Sequence, residues 1–158
     1  MVTTVPGIVP RVTDHEASDQ ARAALEAIAF GAVAVTTRAL ATIGPELTFA
    51  QWRVVVIVGA ESDGATVTEV AVRLGAEVSP ASRLVSRLAR RGLMVASRDP
   101  HDRRVKRVTL TDRGRDLRTT VLERRREMLA DVLRMVGPIG PDLDAALDRI
   151  ATSFGRYI

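Results

Sequence analysis

Apolar side chains recur at three- and four-residue steps through most of this chain and switch to a two-residue alternation over one short stretch, which predicts a mainly α-helical fold with one β-hairpin. From Ser18 onward Ala21, Leu25, Ile28, Ala32, Val35 and Leu40 keep to one face until Gly44-Pro45 stops the helix. Thr48-Phe49-Ala50-Gln51 has capping-box spacing, with Leu47 and Trp52 at the staple positions, and launches a helix through Val54, Val55 and Val58 to about Gly59. Its β-branched residues are poor helix formers, so cap and burial must outweigh propensity. After the turn at Asp63-Gly64, Thr68 is placed as the cap of a short helix, Glu69 to Leu74, closed by Gly75. A further helix with Pro80 in its first turn directs Ala81, Leu84, Val85 and Leu88 inward and ends at Gly92.

A helix, a tight turn containing glycine and a second helix make a helix-turn-helix. Leu93, Val95 and Ser97 then alternate with Met94, Ala96 and Arg98, and Val105, Arg107 and Thr109 with Lys106, Val108 and Leu110. These two runs around Asp99 to Arg104 read as a hairpin, or wing. A long helix capped by Thr111 carries Leu117, Val121, Leu129, Val132 and Val136 as its stripe. Glycine and proline at 137–141 interrupt it, and the last helix, from Pro141-Asp142, presents Leu143, Leu147, Ile150 and Phe154. Residues 1 to about 17 lack a period and read as an arm. The stripes of the terminal helices need a partner, and a two-fold dimer in which the first, fifth and sixth helices interlock supplies one.

The chain is read as one domain spanning residues 1–158, with a winged helix-turn-helix part at 47–111 and a dimerisation part at 18–45 and 112–158. The charge is not spread over it. Residues 79 to 115 hold eleven of the twenty-three basic side chains against three acidic ones, a local +8 in a chain of net +4. A basic helix beside a basic hairpin is the footprint of a duplex-DNA reader, one element for the major groove and one for the backbone and minor groove. Twenty-two of the basic residues are arginine, whose planar fork suits phosphates and base edges; a GC-rich genome gives the same bias. The absence of cysteine excludes disulfides, thiolate metal sites and thiol redox sensing. The most apolar segment, Leu25 to Leu40, reads as short for a membrane span, and no basic residue precedes the N-terminal apolar stretch as in a secretory signal. A cytoplasmic protein without membrane contact is expected. With no paired-carboxylate motif, metal-ligand cluster or glycine-rich phosphate loop, an enzyme is not expected, and neither cofactor nor metal is called for.

The order of elements and several exact strings resemble the MarR family of bacterial transcription regulators, the multiple antibiotic resistance regulators. The strings are Leu47-Thr48-Phe49-Ala50-Gln51-Trp52, Glu69-Val70-Ala71-Val72-Arg73-Leu74-Gly75, Arg83-Leu84-Val85-Ser86-Arg87-Leu88 with Gly92-Leu93, and Asp99-Pro100-His101-Asp102-Arg103-Arg104 followed by Val108-Thr109-Leu110-Thr111 and Gly114. Each is weak alone; in order and at family spacing they are specific, and they cover roughly residues 20 to 155. The resemblance implies a winged helix-turn-helix dimer that binds an operator. In many members a small, often aromatic anion, entering between the dimerisation and DNA-binding parts, releases the DNA. Two residues depart from the pattern. Glu77 stands where Ser, Thr or Asp usually caps the recognition helix, which shifts the expected start to Ser79 with Pro80 first. Ala89 stands where Glu is usual, leaving Arg90 and Arg91 less neutralised.

Arg83 and Arg87 lie four apart and opposite Leu84 and Leu88, so both can enter a major groove, where arginine pairs bidentately with guanine. Ser79, Ser82 and Ser86 are short donors for phosphates or base edges, and equally ordinary surface serines. Arg90 and Arg91 meet phosphate or only water. Asp102 and Arg104 match the family's Asp-x-Arg pair, in which the acid braces an arginine reaching into the minor groove; the alternative is a surface ion pair of little worth. Arg103, Lys106 and Arg107 are expected as phosphate neutralisers, and Arg98 is a further DNA-binding candidate. His15, Phe30 and Trp52 are candidates for an effector crevice, although core packing explains the two aromatics as well. The expected protein is a sequence-specific, homodimeric binder of double-stranded DNA, a repressor released from a pseudo-palindrome by a small ligand. Its rivals are an architectural or activating DNA binder of the same fold without effector, and a helix-mediated protein adaptor.

Overall fold

The structure is a computed structural model and describes residues 14–43, 47–99 and 105–154, with side chains from residue 18 onward. Its helices are α1 (Asp14–Ala41), α2 (Phe49–Val58), α3 (Val67–Leu74), α4 (Val78–Arg90), α5 (Asp112–Val136) and α6 (Pro141–Phe154), and its strands β1 (Ala65–Thr66), β2 (Met94–Arg98) and β3 (Lys106–Leu110). The chain divides into two compact units, residues 1–34 and 35–158, with the boundary inside α1. This is the mainly α winged helix-turn-helix fold expected.

In the first unit Ile28, Phe30 and Val33 are exposed. The stretch Ser18–Ala41 of α1 is long and apolar enough to cross a membrane by length and composition alone, with a mean hydropathy of 1.5, which corrects the expectation that this segment is too short. The reason is that the helix begins well before Leu25 and runs on to Ala41, and its most apolar eighteen-residue window carries no more than two charged side chains.

In the second unit α2 is the centre. Thr48 Oγ1 accepts from Gln51 N at 3.3 Å while Gln51 Oε1 accepts from Thr48 N at 3.0 Å, so the predicted capping box is formed. Trp52, Val54, Val55, Ile57 and Val58 are buried around the helix, which explains why a segment so rich in β-branched residues is helical. Each such side chain, fully buried, stabilises by about 1.5–3 kcal/mol. The core continues through Val70 and Ala71 of α3, Ala81, Val85 and Leu88 of α4, Leu93, Met94, Val108 and Leu110 at the hairpin, and Val121 of α5.

Three features differ from the sequence reading. First, α3 begins two residues before the placement at Thr68: Thr66 is the cap, forming a second capping box with Glu69. Second, the hairpin gains a third strand. β1 pairs with β3, Ala65 opposite Val108 and Thr66 opposite Arg107, giving the antiparallel order β1-β3-β2. Gly64 permits it, since its φ is +75° and a Cβ there would stand 2.3 Å from the Val108 carbonyl oxygen. Third, α4 starts after Glu77, not at Ser79, and Pro80 is its third residue. Nothing is lost there, because Pro80 occupies the last position whose N–H has no partner inside the helix; the first such bond runs from Ala81 N to Glu77 O at 3.3 Å.

The base of the wing is tied to the next helix. Thr111 caps α5 by accepting from Gly114 N at 3.1 Å, as predicted. It also donates its N–H to Leu93 O at 3.1 Å and its hydroxyl to Gly92 O at 2.7 Å.

Candidate DNA-binding surface

The exposed face of α4 is set by the apolar spacing of its other side. Ala81, Val85 and Leu88 are buried and Leu84 partly so, which turns Ser79, Arg83, Ser86, Arg87 and Arg90 to solvent, with Ser82 at the border. Arg83 Nη1 donates to Ser79 Oγ at 3.1 Å, so two of the predicted contact residues already touch. Glu77 is exposed and its carboxylate makes no hydrogen bond to the helix it precedes.

The angle between α3 and α4 is held by backbone and by one arginine. Gly75 adopts a left-handed φ of +65°, while Ala76 N bonds to Ala71 O and Gly75 N to Val72 O, each at 3.0 Å, the Schellman pattern. From α2, Arg53 donates to Leu74 O at 3.2 Å and Arg73 O at 3.1 Å, placing a cation at the α3 C-terminus and satisfying carbonyls that lack helical partners. The sequence reading did not single out Arg53.

In the wing, Met94 pairs with Leu110 and Arg98 with Lys106, and one further bond, Asp99 N to Val105 O at 2.9 Å, extends the ladder beyond the strands. Met94, Val108 and Leu110 face the core, whereas Arg98 and Lys106 are exposed and directly opposite each other. His101, Asp102, Arg103 and Arg104, with the proposed brace between Asp102 and Arg104, lie outside the described residues.

Arg107, expected to meet phosphate, is engaged internally. Its Nε donates to Asp99 Oδ2 at 2.5 Å and its Nη1 to Gly64 O at 3.1 Å, and Glu69 Oε2 stands 3.9 Å from Nη1. The hydrogen bond to Asp99, reinforced by the charges of Asp99, Glu69 and Asp63, raises the guanidinium pKa above its ordinary value against the opposing effect of desolvation. Glu69 is held below the usual carboxylate range, chiefly by the backbone N–H and hydroxyl of Thr66 and then by Arg107. Asp99, only 8% exposed, belongs in sequence to the turn of the hairpin, and hairpin register alone brings it beside Arg107. Glu69 was legible in principle, as the fourth member of Thr66-Val67-Thr68-Glu69.

Of the effector candidates, Trp52 is 3% exposed within the core and Phe30 is 79% exposed in the first unit, while the His15 side chain lies outside the described residues. A cleft of about 320 Å³ opens between the end of α2, β3 and the first turns of α5, lined by Ser62, Arg115, Arg118 and Thr119 among others, and a smaller one of about 210 Å³ lies beside Glu69 and Arg107. Neither is lined by Trp52 or Phe30. The Arg118 Nε is buried without a hydrogen-bond partner among the described residues. No group of three or more His, Asp or Glu side chains suited to a metal occurs among the described residues.

A model of the MarR family matches residues 46–105, from the approach to α2 into the wing. Comparison with curated proteins gave no match. Among solved structures, RV1404 from Mycobacterium tuberculosis is 28% identical, over 88% of this chain and 92% of that one, with a TM-score of 0.72. The PcaV transcriptional regulator from Streptomyces coelicolor, in complex with its natural ligand, is 30% identical over 71% of this chain and 77% of its own, with a TM-score of 0.51. CouR from Rhodococcus jostii RHA1, bound to p-coumaroyl-CoA, is 26% identical over 87% and 92%, with a TM-score of 0.68. Family members are transcription regulators and not enzymes. With the helix-turn-helix, the wing and the long helices in family order, and these matches across them, the chain belongs to the MarR family.

Proposed function

We propose that the protein is a homodimeric repressor that binds a pseudo-palindromic operator through α4 and the wing and leaves it when a small ligand binds. The observation that carries this reading is the exposed face of α4, where Arg83 and Arg87 stand one helical turn apart on a helix whose other side is fixed in the core. In the neighbouring wing Arg98 opposes Lys106. Like charges directly across a hairpin are destabilising in the free protein, a cost that a polyanion laid over them offsets. In this reading Ser79, Ser82, Ser86 and Arg103 add phosphate or base-edge contacts, and Arg104, braced by Asp102, enters the minor groove.

Homodimerisation is supported by apolar side chains exposed along α5 and α6, among them Leu129, Val132, Val136, Leu143, Ile150 and Phe154. Residues 18–45 and 112–158 would form the dimerisation part and 47–111 the DNA-binding part. Release by a small ligand is carried over from the ligand-bound structures of PcaV and CouR. An operator-bound regulator works in the cytoplasm.

The test is an anisotropy titration of selected operator and random duplex at several salt concentrations. Binding weakens steeply with salt, and Arg104→Ala costs about 1–3 kcal/mol on the operator. Unchanged affinity in that variant removes the wing tip from the mechanism. A ratio of operator to random affinity near one selects the architectural or activating alternative, and no salt-dependent DNA binding at all leaves the protein adaptor.

A further inference from the structure

We propose that Asp99 and Arg107 form an internal clamp that fixes the wing against the helix-turn-helix, making Arg107 a positioning residue for DNA binding rather than a phosphate contact. The proposal rests on the DNA-binding reading above.

The register creates the clamp. Arg107 lies in the middle strand between Thr66 of β1 and Ser97 of β2, and Asp99 stands two residues beyond Ser97, where the closing bond from its N–H to Val105 O keeps it in the ladder. Diagonal neighbours of this kind on an antiparallel pair are within reach of a long side chain. One guanidinium therefore joins three parts of the chain: the root of the wing loop through Asp99, the turn before β1 through Gly64 O, and the first turn of α3 through Glu69. Glu69 is at the same time the return arm of the α3 capping box, accepting from Thr66 N at 2.7 Å. The wing is thus referenced to the first helix of the helix-turn-helix.

Charge leads to the same conclusion. Two carboxylates face Arg107, and the Asp99 side chain is 10% exposed. A guanidinium so compensated has little to offer a phosphate, and removing it strands a buried carboxylate, which is destabilising. The fork geometry matters as well: Nε and Nη1 are used on different partners, and an ammonium cannot span both in the same way.

The full-length protein is titrated with random duplex across a salt series. Asp99→Ala and Arg107→Ala each weaken binding about tenfold, the double variant is no weaker than either, and the slope of log affinity against log salt is unchanged. Arg107→Lys behaves like Arg107→Ala. The clamp is overturned if Asp99→Ala tightens binding, or if Arg107→Ala lowers the slope by about 0.9 and Arg107→Lys restores it. Where an alanine variant does not fold, Asp99→Asn and Arg107→Lys take its place, with hydrogen exchange of the β2 and β3 amides in the free protein as the readout. Lost protection confined to the wing supports the clamp and wild-type protection refutes it. If the wild type binds no duplex, the functional reading fails, whereas hydrogen exchange still decides the clamp.

Discussion

Replacing Gly114 by alanine tests how closely α5 is fitted to the base of the wing. In an open helix the substitution stabilises by roughly 0.5–1 kcal/mol. Here a Cβ would stand 2.1 Å from the Leu93 carbonyl oxygen, whereas ordinary Cβ contacts begin near 3.4 Å, leaving about 1.3 Å to be found. No rotamer can supply it, since the obstacle is backbone and Leu93 is fully buried. If the first turn of α5 retreats by that amount, the bond from Thr111 N to Leu93 O stretches from 3.1 Å to about 4.4 Å, outside hydrogen-bond range. The bond from the Thr111 hydroxyl to Gly92 O goes from 2.7 Å to about 4.0 Å. Two hydrogen bonds at about 1 kcal/mol each and an overpacking cost of about 1–3 kcal/mol, set against the helix gain, leave a net destabilisation of about 2–4.5 kcal/mol. Urea unfolding followed by fluorescence reads it directly, because the chain has a single tryptophan, Trp52, and it is buried. Both proteins are compared at one concentration. A Gly114→Ala protein as stable as the wild type, or more so, would refute the close approach of α5 to Leu93.

Arg53→Ala removes the cation that caps α3 and costs about 1–3 kcal/mol in the same assay; Arg53→Lys recovers only part, as one ammonium replaces a fork. Because the Glu69 pKa is depressed in the folded state, its contribution is present above the ordinary value of 4.5 and is lost as pH falls through the lower folded value. Glu69→Gln keeps the capping geometry without the charge, so its stability declines less steeply as pH falls from 4.5 toward the lower folded value; identical acid profiles would count against the capping carboxylate. Glu77→Ser supplies the missing cap of α4 and takes a negative charge off the end of the proposed DNA-binding face. It raises stability by about 0.5–1 kcal/mol and tightens random-duplex binding, readable by melting and by anisotropy.

Elements with strong periodicity or an unambiguous cap were legible in the sequence: α2 with its Thr48–Gln51 box, the Thr111 cap, the Gly75 turn and the start of α6 at Pro141. The misplacement of the α3 start has a simple cause. Thr66 and Thr68 are both good caps, and only the glutamate three residues on distinguishes them. At α4 the difficulty was the opposite: Glu77 caps without a side-chain bond, so nothing local marks the boundary. β1, two residues long, has no alternation to read and exists because Gly64 lets the chain approach β3. The surface arginines of α4 followed from the apolar stripe behind them. The partnership of Asp99 with Arg107 did not, because it depends on the register of a hairpin rather than on spacing along one element.

The knot at Thr111 also makes a lever. Gly92 and Leu93 just beyond α4 receive both Thr111 bonds, and Arg113 donates to Arg91 O at 3.2 Å, so the end of the recognition helix and the start of α5 turn as one body. The twenty-five residues of α5 extend about 37 Å from this fulcrum. A sideways shift of about 3 Å at the far end is a tilt of about 5° at the root, and over the roughly 20 Å of α4 that tilt displaces its leading turn by about 1.5–2 Å. Direct hydrogen bonds tolerate only about 0.5 Å. In the DNA-binding reading proposed above, the amplitude that separates a seated α4 from an unseated one is therefore small, and it can be imposed from the far end of α5.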